Sequence, residues 1–210
     1  MIMFQIFKKV FIRIVRLLPP LIRSVYETRY TQTPITLKLI FFQKVLRFNS
    51  KAYWPVHFSS VITHPERVYV GIETCPGYMP GCYIQGAGKI YIGDYTQISA
   101  NVGIISVNHS LYDNRQHVNY NSVVIGKYCW IAMNVMILPG VKLGDFTIVG
   151  AGSVVTKSFE EGFCVVAGNP ARIIKKLNMK ECVFHKSPIE YNGYIKNSDF
   201  KEFSEKKLEI

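Results

Sequence analysis

An aliphatic residue returns at every sixth position through the middle of the chain. The series is Ile92, Ile98 and Ile104 and then, after an interruption, Ile125, Ile131, Ile137, Leu143, Val149 and Val155. No other feature restricts so tightly what the chain can fold into. A helix would show a period of 3.6 and a simple strand a period of 2. A period of six without a helical stripe fits a short strand followed by a corner, so three units close one triangular coil. The aliphatic residue points into the resulting prism. Four positions later comes a small or medium residue (Thr96, Val102, Cys129, Val135, Val141, Thr147, Ser153), also directed inward where three walls crowd together. Glycine follows the aliphatic residue at Gly93, Gly126, Gly144 and Gly150, where it is expected to ease the backbone around the corner. One unit cannot bury its apolar face alone, so the coils must stack. An ordinary β-sandwich with accidental spacing is the competing reading. The register held over consecutive units from Ile125 weighs against it.

The register extends backwards through Gly86, Pro80, Thr74 and Val68, with Ile72, Ile84 and Ile90 at the inward fifth positions. Val68 to Gln85 therefore reads as a degenerate first coil. The 21 residues from Ile104 to Ile125 are not a multiple of six. A loop of about Ser110 to Ser122 must leave the coil there, directly after His109.

By length the chain is one domain with appendages, and its 49% of apolar residues can fill a sizeable core. Its five cysteines form no CxxC pair. Cys129 and Cys164 fall at repeat positions and read as small core residues. An odd cysteine count without a secretory signal points to a reducing compartment, with a Cys75–Cys82 disulfide as the open alternative. The net charge of +11 is uneven. Residues 1–50 carry nine Lys and Arg against the single acid Glu27, which leaves only +3 for the other 160 residues.

Residues 2–18 place Phe4, Phe7, Val10, Phe11, Ile14 and Leu18 on one helical face and Lys9, Arg13 and Arg16 on the other, and Pro19-Pro20 is expected to end that helix. The apolar run is too short to span a bilayer and too interrupted by charge for a signal peptide. Two readings stay open: a helix lying in an anionic membrane surface, or one packing on a neighbouring subunit. No nucleic-acid recognition motif accompanies the charge. Ile35 to Phe48 reads as a second amphipathic helix and Tyr53-Trp54-Pro55-Val56 as a rigid connector. The expected organisation is a basic amphipathic helical arm over 1–55, a β-helix over 56–177 with the loop 110–122, and a helical tail over 178–210. The expected location is cytoplasmic, with possible peripheral contact at the inner face of the membrane through residues 2–18.

Several segments together resemble the hexapeptide-repeat acyltransferases, which fold as a left-handed parallel β-helix. They are Ile92-Gly93-Asp94, Asn108-His109, Ile125-Gly126, Trp130-Ile131-Ala132, Leu138-Pro139-Gly140-Val141, Val149 to Lys157 and Ala167-Gly168-Asn169-Pro170-Ala171. The resemblance covers about residues 68–177 and is closest in look to capsule and surface-polysaccharide O-acetyltransferases. It implies a mainly β fold, a homotrimer, active sites between neighbouring prisms, acetyl-CoA as co-substrate, a saccharide acceptor and no metal. One departure is Ala132, where many relatives have glycine.

Histidine suits general-base work near neutral pH. A sugar hydroxyl is a weak nucleophile that needs proton removal as it attacks a thioester, and the resemblance places His109 in that role. A partner must orient the other ring nitrogen. Asp113 and the backbone near Asn108 are the candidates, with Asp113 as a merely solvated loop residue the alternative. Tyr83 and Gln85 are candidate acceptor contacts, or simply exposed strand residues. By resemblance the pantetheine arm follows Gly150, Ala151, Gly152 and Ser153 past Trp130 and Ala132, and the nucleotide end meets Lys157, Arg172 and Lys175, with Lys176 in support. Competing functions are an N-acetyltransferase acting on an amino sugar or antibiotic, a zinc enzyme of the γ-carbonic-anhydrase kind, and a non-catalytic trimeric scaffold. The zinc reading needs three protein ligands, whereas His109 and His117 are eight residues apart and His57, His64 and His185 lie off the regular coil.

Overall fold

The computed structural model describes residues 19–118 and 121–210. The expected helix over 2–18 lies outside them. Short parallel strands form three sheets, the walls of a triangular prism. The first wall contains Val61–Thr63, Tyr83–Gln85, Gly103–Ile105, Met136–Ile137 and Val154–Val155. The second contains Val68–Val70, Ile90–Ile92, Val123–Ile125 and Lys142–Leu143. The third contains Gln97–Ile98, Trp130–Ile131, Thr147–Val149 and Cys164–Gly168, and ends in the antiparallel strand Ala171–Lys176. The coil starts at Val61, one strand earlier than the repeat suggested.

Register converts the six-residue period into three apolar columns. Ile84, Ile104, Ile137 and Val155 stack on the first wall. Val70, Ile92, Ile125 and Leu143 stack on the second. Ile98, Ile131, Val149 and Val166 stack on the third. All twelve are buried, and this interdigitated column is the core. The fifth-position residues are buried as expected. Polar residues in the interior are satisfied by carbonyls of the next coil or of their own. Thr74 Oγ1 donates to Gly93 O at 2.9 Å, Thr96 Oγ1 to Gly126 O at 2.7 Å and Thr147 Oγ1 to Gly144 O at 2.7 Å. Ile72 departs from expectation: it is half-buried, and Thr74 fills that coil's interior.

The repeat glycines act differently from the expectation. The left-handed backbone falls two residues later, at Tyr95, Asn101, Tyr128, Asn134 and Phe146, and at Gly140 and Gly152. Gly93, Gly126 and Gly144 are needed for close approach between coils. A Cβ on Gly93 would lie 2.7 Å from Gly126 C, and one on Gly126 would lie 2.7 Å from Gly144 C. Along this same edge Tyr95, Tyr128, Phe146 and Phe163 form a stacked ladder with ring centroids 5.3, 4.8 and 5.2 Å apart.

Both ends of the chain close the first coil. Trp54 is fully buried and donates from Nε1 to Pro76 O at 2.8 Å, while the buried Tyr53 hydroxyl bridges Val68 and Val70. The tail does not run off as a plain helix. It forms a hairpin of Tyr191–Asn192 and Ile195–Lys196, then the helix Asn197–Lys207, whose Phe200 packs with Tyr53 and Tyr69. Pro20 opens the helix Pro20–Glu27, where a missing N–H costs nothing. The second expected helix is shorter than Ile35 to Phe48. It runs Leu37–Ile40 and continues as a π-helical turn over Phe41–Val45. All five cysteines are free, so the Cys75–Cys82 bridge is not formed, and Cys129 and Cys164 sit in the core as expected.

Candidate active site

Ile92 pairs with Ile125 and Ile131 with Val149, pairs that are 33 and 18 residues apart. The difference of 15 residues is the insertion, which leaves the prism after the first wall. Asn108–His109 pairs antiparallel with His117–Val118, so the insertion is a hairpin anchored at the coil. His109 faces His117 across it, with ring centroids 4.4 Å apart. Leu111 and Tyr112 at its tip are almost wholly exposed.

His109 Nδ1 lies 2.5 Å from the backbone oxygen of Asn114. A carbonyl oxygen can only accept, so Nδ1 carries the proton, and in the neutral ring the lone pair is on Nε2. The imidazole is therefore held in the tautomer a general base requires. Asp113, one of the two candidate orienting groups, is engaged within the turn. Its carboxylate accepts from Arg115 Nε at 2.9 Å, the other Arg115 guanidinium nitrogen at 3.1 Å, Arg115 N at 3.1 Å and Gln116 Nε2 at 3.1 Å. The hydrogen bonds from Arg115 hold the Asp113 carboxyl below the usual carboxylate range. Asp113 thus braces the turn that presents the Asn114 carbonyl. Asn108 is an exposed residue of the hairpin strand.

A cavity of about 390 Å³ opens below the hairpin and is lined by His64, Arg67, Tyr83, Gln85, Val107 and His117 among others. Tyr83 is therefore at a site an acceptor could enter. Gln85 is partly committed, because its Oε1 accepts from Val107 N at 3.1 Å and so fixes the chain's exit from the coil. His117, weighed from sequence only as a zinc ligand, lines this cavity instead. Among the described residues no group of three His, Cys, Asp or Glu is placed to hold a metal ion.

The expected donor-site residues are spread over more than one edge of the prism. Trp130 is half-exposed on the third wall, and Ala132 is buried beside it. Gly150, Ala151 and Gly152 form the corner between the third and first walls, and a Cβ on Gly152 would meet open space. Ser153 can offer only its backbone to the expected donor arm. It is fully buried, donating to Gly150 O at 2.6 Å and accepting from Gly168 N at 3.1 Å, so its hydroxyl is internal to the fold. Lys157 lies at the next corner and shares a cavity of about 290 Å³ with Lys176, Glu160 and Glu161. Lys176 is paired with Glu161 at 2.8 Å. Arg172 and Lys175 are exposed on the closing hairpin, where the Arg172 guanidinium donates to Ala171 O at 2.9 Å. The geometry brings His109, His117 and the cavity of Tyr83 and Gln85 together, and leaves the expected donor-site residues apart.

Residues 122–157 match the family described as bacterial transferase hexapeptide (six repeats). Over 149 residues the chain is 31% identical to the protein of Escherichia coli named "Putative lipopolysaccharide biosynthesis O-acetyl transferase WbbJ", covering 71% of this chain and 66% of that one. Over 115 residues it is 35% identical to the Escherichia coli protein named "Putative colanic acid biosynthesis acetyltransferase WcaF", covering 55% and 62%. The chain thus spans less than two thirds of the length of these curated relatives. Among solved structures it is similar to a maltose O-acetyltransferase from Clostridium difficile, with a TM-score of 0.55 and 27% identity over 75% of this chain and 88% of the other.

Proposed function

We propose that the chain is a hexapeptide-repeat transferase, and specifically an acetyl-CoA-dependent O-acetyltransferase acting on a sugar hydroxyl of a bacterial surface polysaccharide. The observation that carries this reading is the Nδ1–H of His109 donated to the Asn114 carbonyl, which leaves Nε2 free to accept a proton. In the reaction Nε2 takes the proton of the acceptor hydroxyl as its oxygen attacks the acetyl thioester carbonyl. The tetrahedral intermediate collapses with loss of the CoA thiolate, which takes the proton back from the imidazolium. The products are the sugar ester and free CoA. Base assistance of this kind contributes roughly 10²–10⁴ in rate. No covalent enzyme intermediate is required.

The acceptor class rests on the names of the relatives, one of them a lipopolysaccharide O-acetyl transferase. The reading includes a left-handed coil and a homotrimer with sites between neighbouring prisms. The spread of Trp130, Gly150 to Gly152, Lys157, Arg172 and Lys175 over several edges fits a donor groove made by two subunits. So do the exposed Leu111 and Tyr112, which need a surface to cover them. A cytoplasmic location with residues 2–18 at the inner face of the membrane would suit a lipid-linked glycan intermediate. Among the described residues no helix is long and apolar enough to cross a membrane.

The test is thiol release from acetyl-CoA with a panel of surface-polysaccharide fragments and amino sugars. His109→Ala is run beside the parent at matched oligomeric state. Turnover on one glycan that falls by about 10² or more in the variant supports the reading. Turnover that survives the substitution removes His109 from the mechanism, and turnover confined to amines moves the acceptor to nitrogen.

A further inference from the structure

The helical turn Leu37–Val45 is built inside out. Its polar residue Gln43 is fully buried, whereas Leu37, Phe41, Val45, Leu46 and Phe48 are 47–65% exposed. The burial of Gln43 is no accident of fraying. Its Nε2 donates to Asn49 O at 3.1 Å, Ala52 O at 3.2 Å and Trp54 O at 2.9 Å, and its Oε1 accepts from Val56 N at 3.2 Å and the Tyr194 hydroxyl at 2.7 Å. Asn49 adds bonds to Ser60 O and Ile62 N. These contacts clamp the turn with its apolar side outward.

The outward side is contiguous. Phe42 stacks on Phe58 at 4.7 Å and touches Phe41 at 5.8 Å and Phe48 at 6.4 Å, and Phe58 is itself 40% exposed. A surface of this kind is normally covered in the working protein. Charge identifies the cover. From Thr28 to Pro65 the chain has no Asp or Glu and five cations, Arg29, Lys38, Lys44, Arg47 and Lys51. Lys44 is turned toward the body, with Nζ over the Tyr194 ring at 4.7 Å. Lys38, Arg47 and Lys51 are exposed. A second copy presenting the same patch would bring like charges together. An anionic bilayer accepts exposed aromatics at the headgroup level and attracts the cations beside them.

We propose that the phenylalanine knob of Phe41, Phe48 and Phe58, with Lys38, Arg47 and Lys51 at its margin, docks the protein on an anionic lipid bilayer. The proposal is independent of the acyltransferase reading and adds a second contact to the one expected at residues 2–18. The knob is a feature of the described surface that the sequence pattern would have placed in the core.

The experiment is co-sedimentation of the full chain with vesicles of phosphatidylcholine alone and of phosphatidylcholine doped with phosphatidylglycerol. The parent, Phe41→Ser/Phe48→Ser/Phe58→Ser and Lys38→Glu/Arg47→Glu/Lys51→Glu are compared, with unfolding midpoint and light scattering as controls. The parent binds the anionic vesicles preferentially and releases with salt. Each triple variant partitions about tenfold less or lower, at unchanged oligomeric state, as removal of interfacial aromatics or of cations requires. Equal partition of the parent and the charge variant overturns the proposal. So does loss of the oligomer in the serine variant, because the knob would then be a subunit contact. Acetyl transfer is not part of the readout, so failure here leaves the catalytic reading untouched.

Discussion

The glycines of the repeat can be separated by experiment into those that need space and those that need a backbone conformation. Gly126→Ala and Gly152→Ala are the informative pair. A Cβ on Gly126 would stand 2.5 Å from Asp145 Oδ1, 2.6 Å from Asp145 N and 2.7 Å from Gly144 C. Comfortable heavy-atom contacts lie near ~3.5–4.0 Å, so each overlap approaches ~1 Å. The neighbours cannot move aside cheaply. Asp145 Oδ1 accepts from Lys127 N at 2.7 Å, and the two backbones are tied by Gly126 N to Leu143 O at 2.8 Å and Phe146 N to Lys127 O at 2.9 Å. Overpacking costs ~1–3 kcal/mol and a weakened hydrogen bond ~1 kcal/mol, so Gly126→Ala should cost about 3 kcal/mol. At Gly152 nothing lies within 4 Å, and the penalty is only that of a left-handed alanine at φ +69°, ~1 kcal/mol. Urea unfolding at one fixed protein concentration measures both, since association would otherwise shift the midpoint. If Gly126→Ala costs no more than Gly152→Ala, the close stacking of coils does not explain the repeat glycine.

Three further outcomes are expected. Ser153→Ala should lower stability by ~1–2 kcal/mol and leave the KM for acetyl-CoA unchanged, because its hydroxyl bonds Gly150 and Gly168 inside the fold; a raised KM would mean that the hydroxyl itself reaches the donor. Asp113→Ala should lower kcat severalfold with little change in KM, by loosening the turn that carries the Asn114 carbonyl. The depressed pKa of Asp113 sets the sign of a matching pH effect: its bracing is present above the ordinary carboxylate pKa and disappears as pH falls through its lowered folded value. Maleimide should label Cys182 first in the native protein, as read by peptide mass spectrometry. Cys75 and Cys129 are buried, which pushes both thiols up to about 12, and their early labelling would mean that the coil opens.

The prism was legible because its physics is periodic. Each inward position recurs, so Ile92, Ile125 and Leu143 announce a column before any contact is known. The interruption was legible as a count, since 21 residues do not divide by six. Its content was not, because the group that orients His109 is a main-chain carbonyl, and no residue identity encodes where such a carbonyl points. The repeat glycines were located but misread. Their φ is ordinary, and only the coordinates show the neighbouring coil pressing on them. Leu37 to Phe48 misled in the opposite sense. Its apolar spacing suggests a core face, yet the buried Gln43 has five hydrogen bonds and wins the inward position. The return of the tail to Tyr53 has no periodic signature at all.

The hydrogen bonding of the coil is consistent with placing the proposed base on an insertion. A stacked coil spends its carbonyls on the next turn: Val102 O accepts from Tyr83 N at 2.9 Å, Val135 O from Gly103 N at 2.9 Å and Ser153 O from Met136 N at 2.9 Å. A histidine placed on a wall would compete with that ladder for an acceptor, and a lost ladder bond leaves a buried donor unpaired. The turn at Asp113 to Gln116 stands outside the ladder, so the Asn114 carbonyl is free to meet an imidazole. Asp113, spent on Arg115 and Gln116, keeps that carbonyl in place without bringing a carboxylate onto the ring. Setting the tautomer through a group that can only accept makes it independent of any neighbouring protonation state. The prism thus supplies a rigid edge from which the hairpin rises, and the hairpin supplies the acceptor that the prism itself has none to spare for.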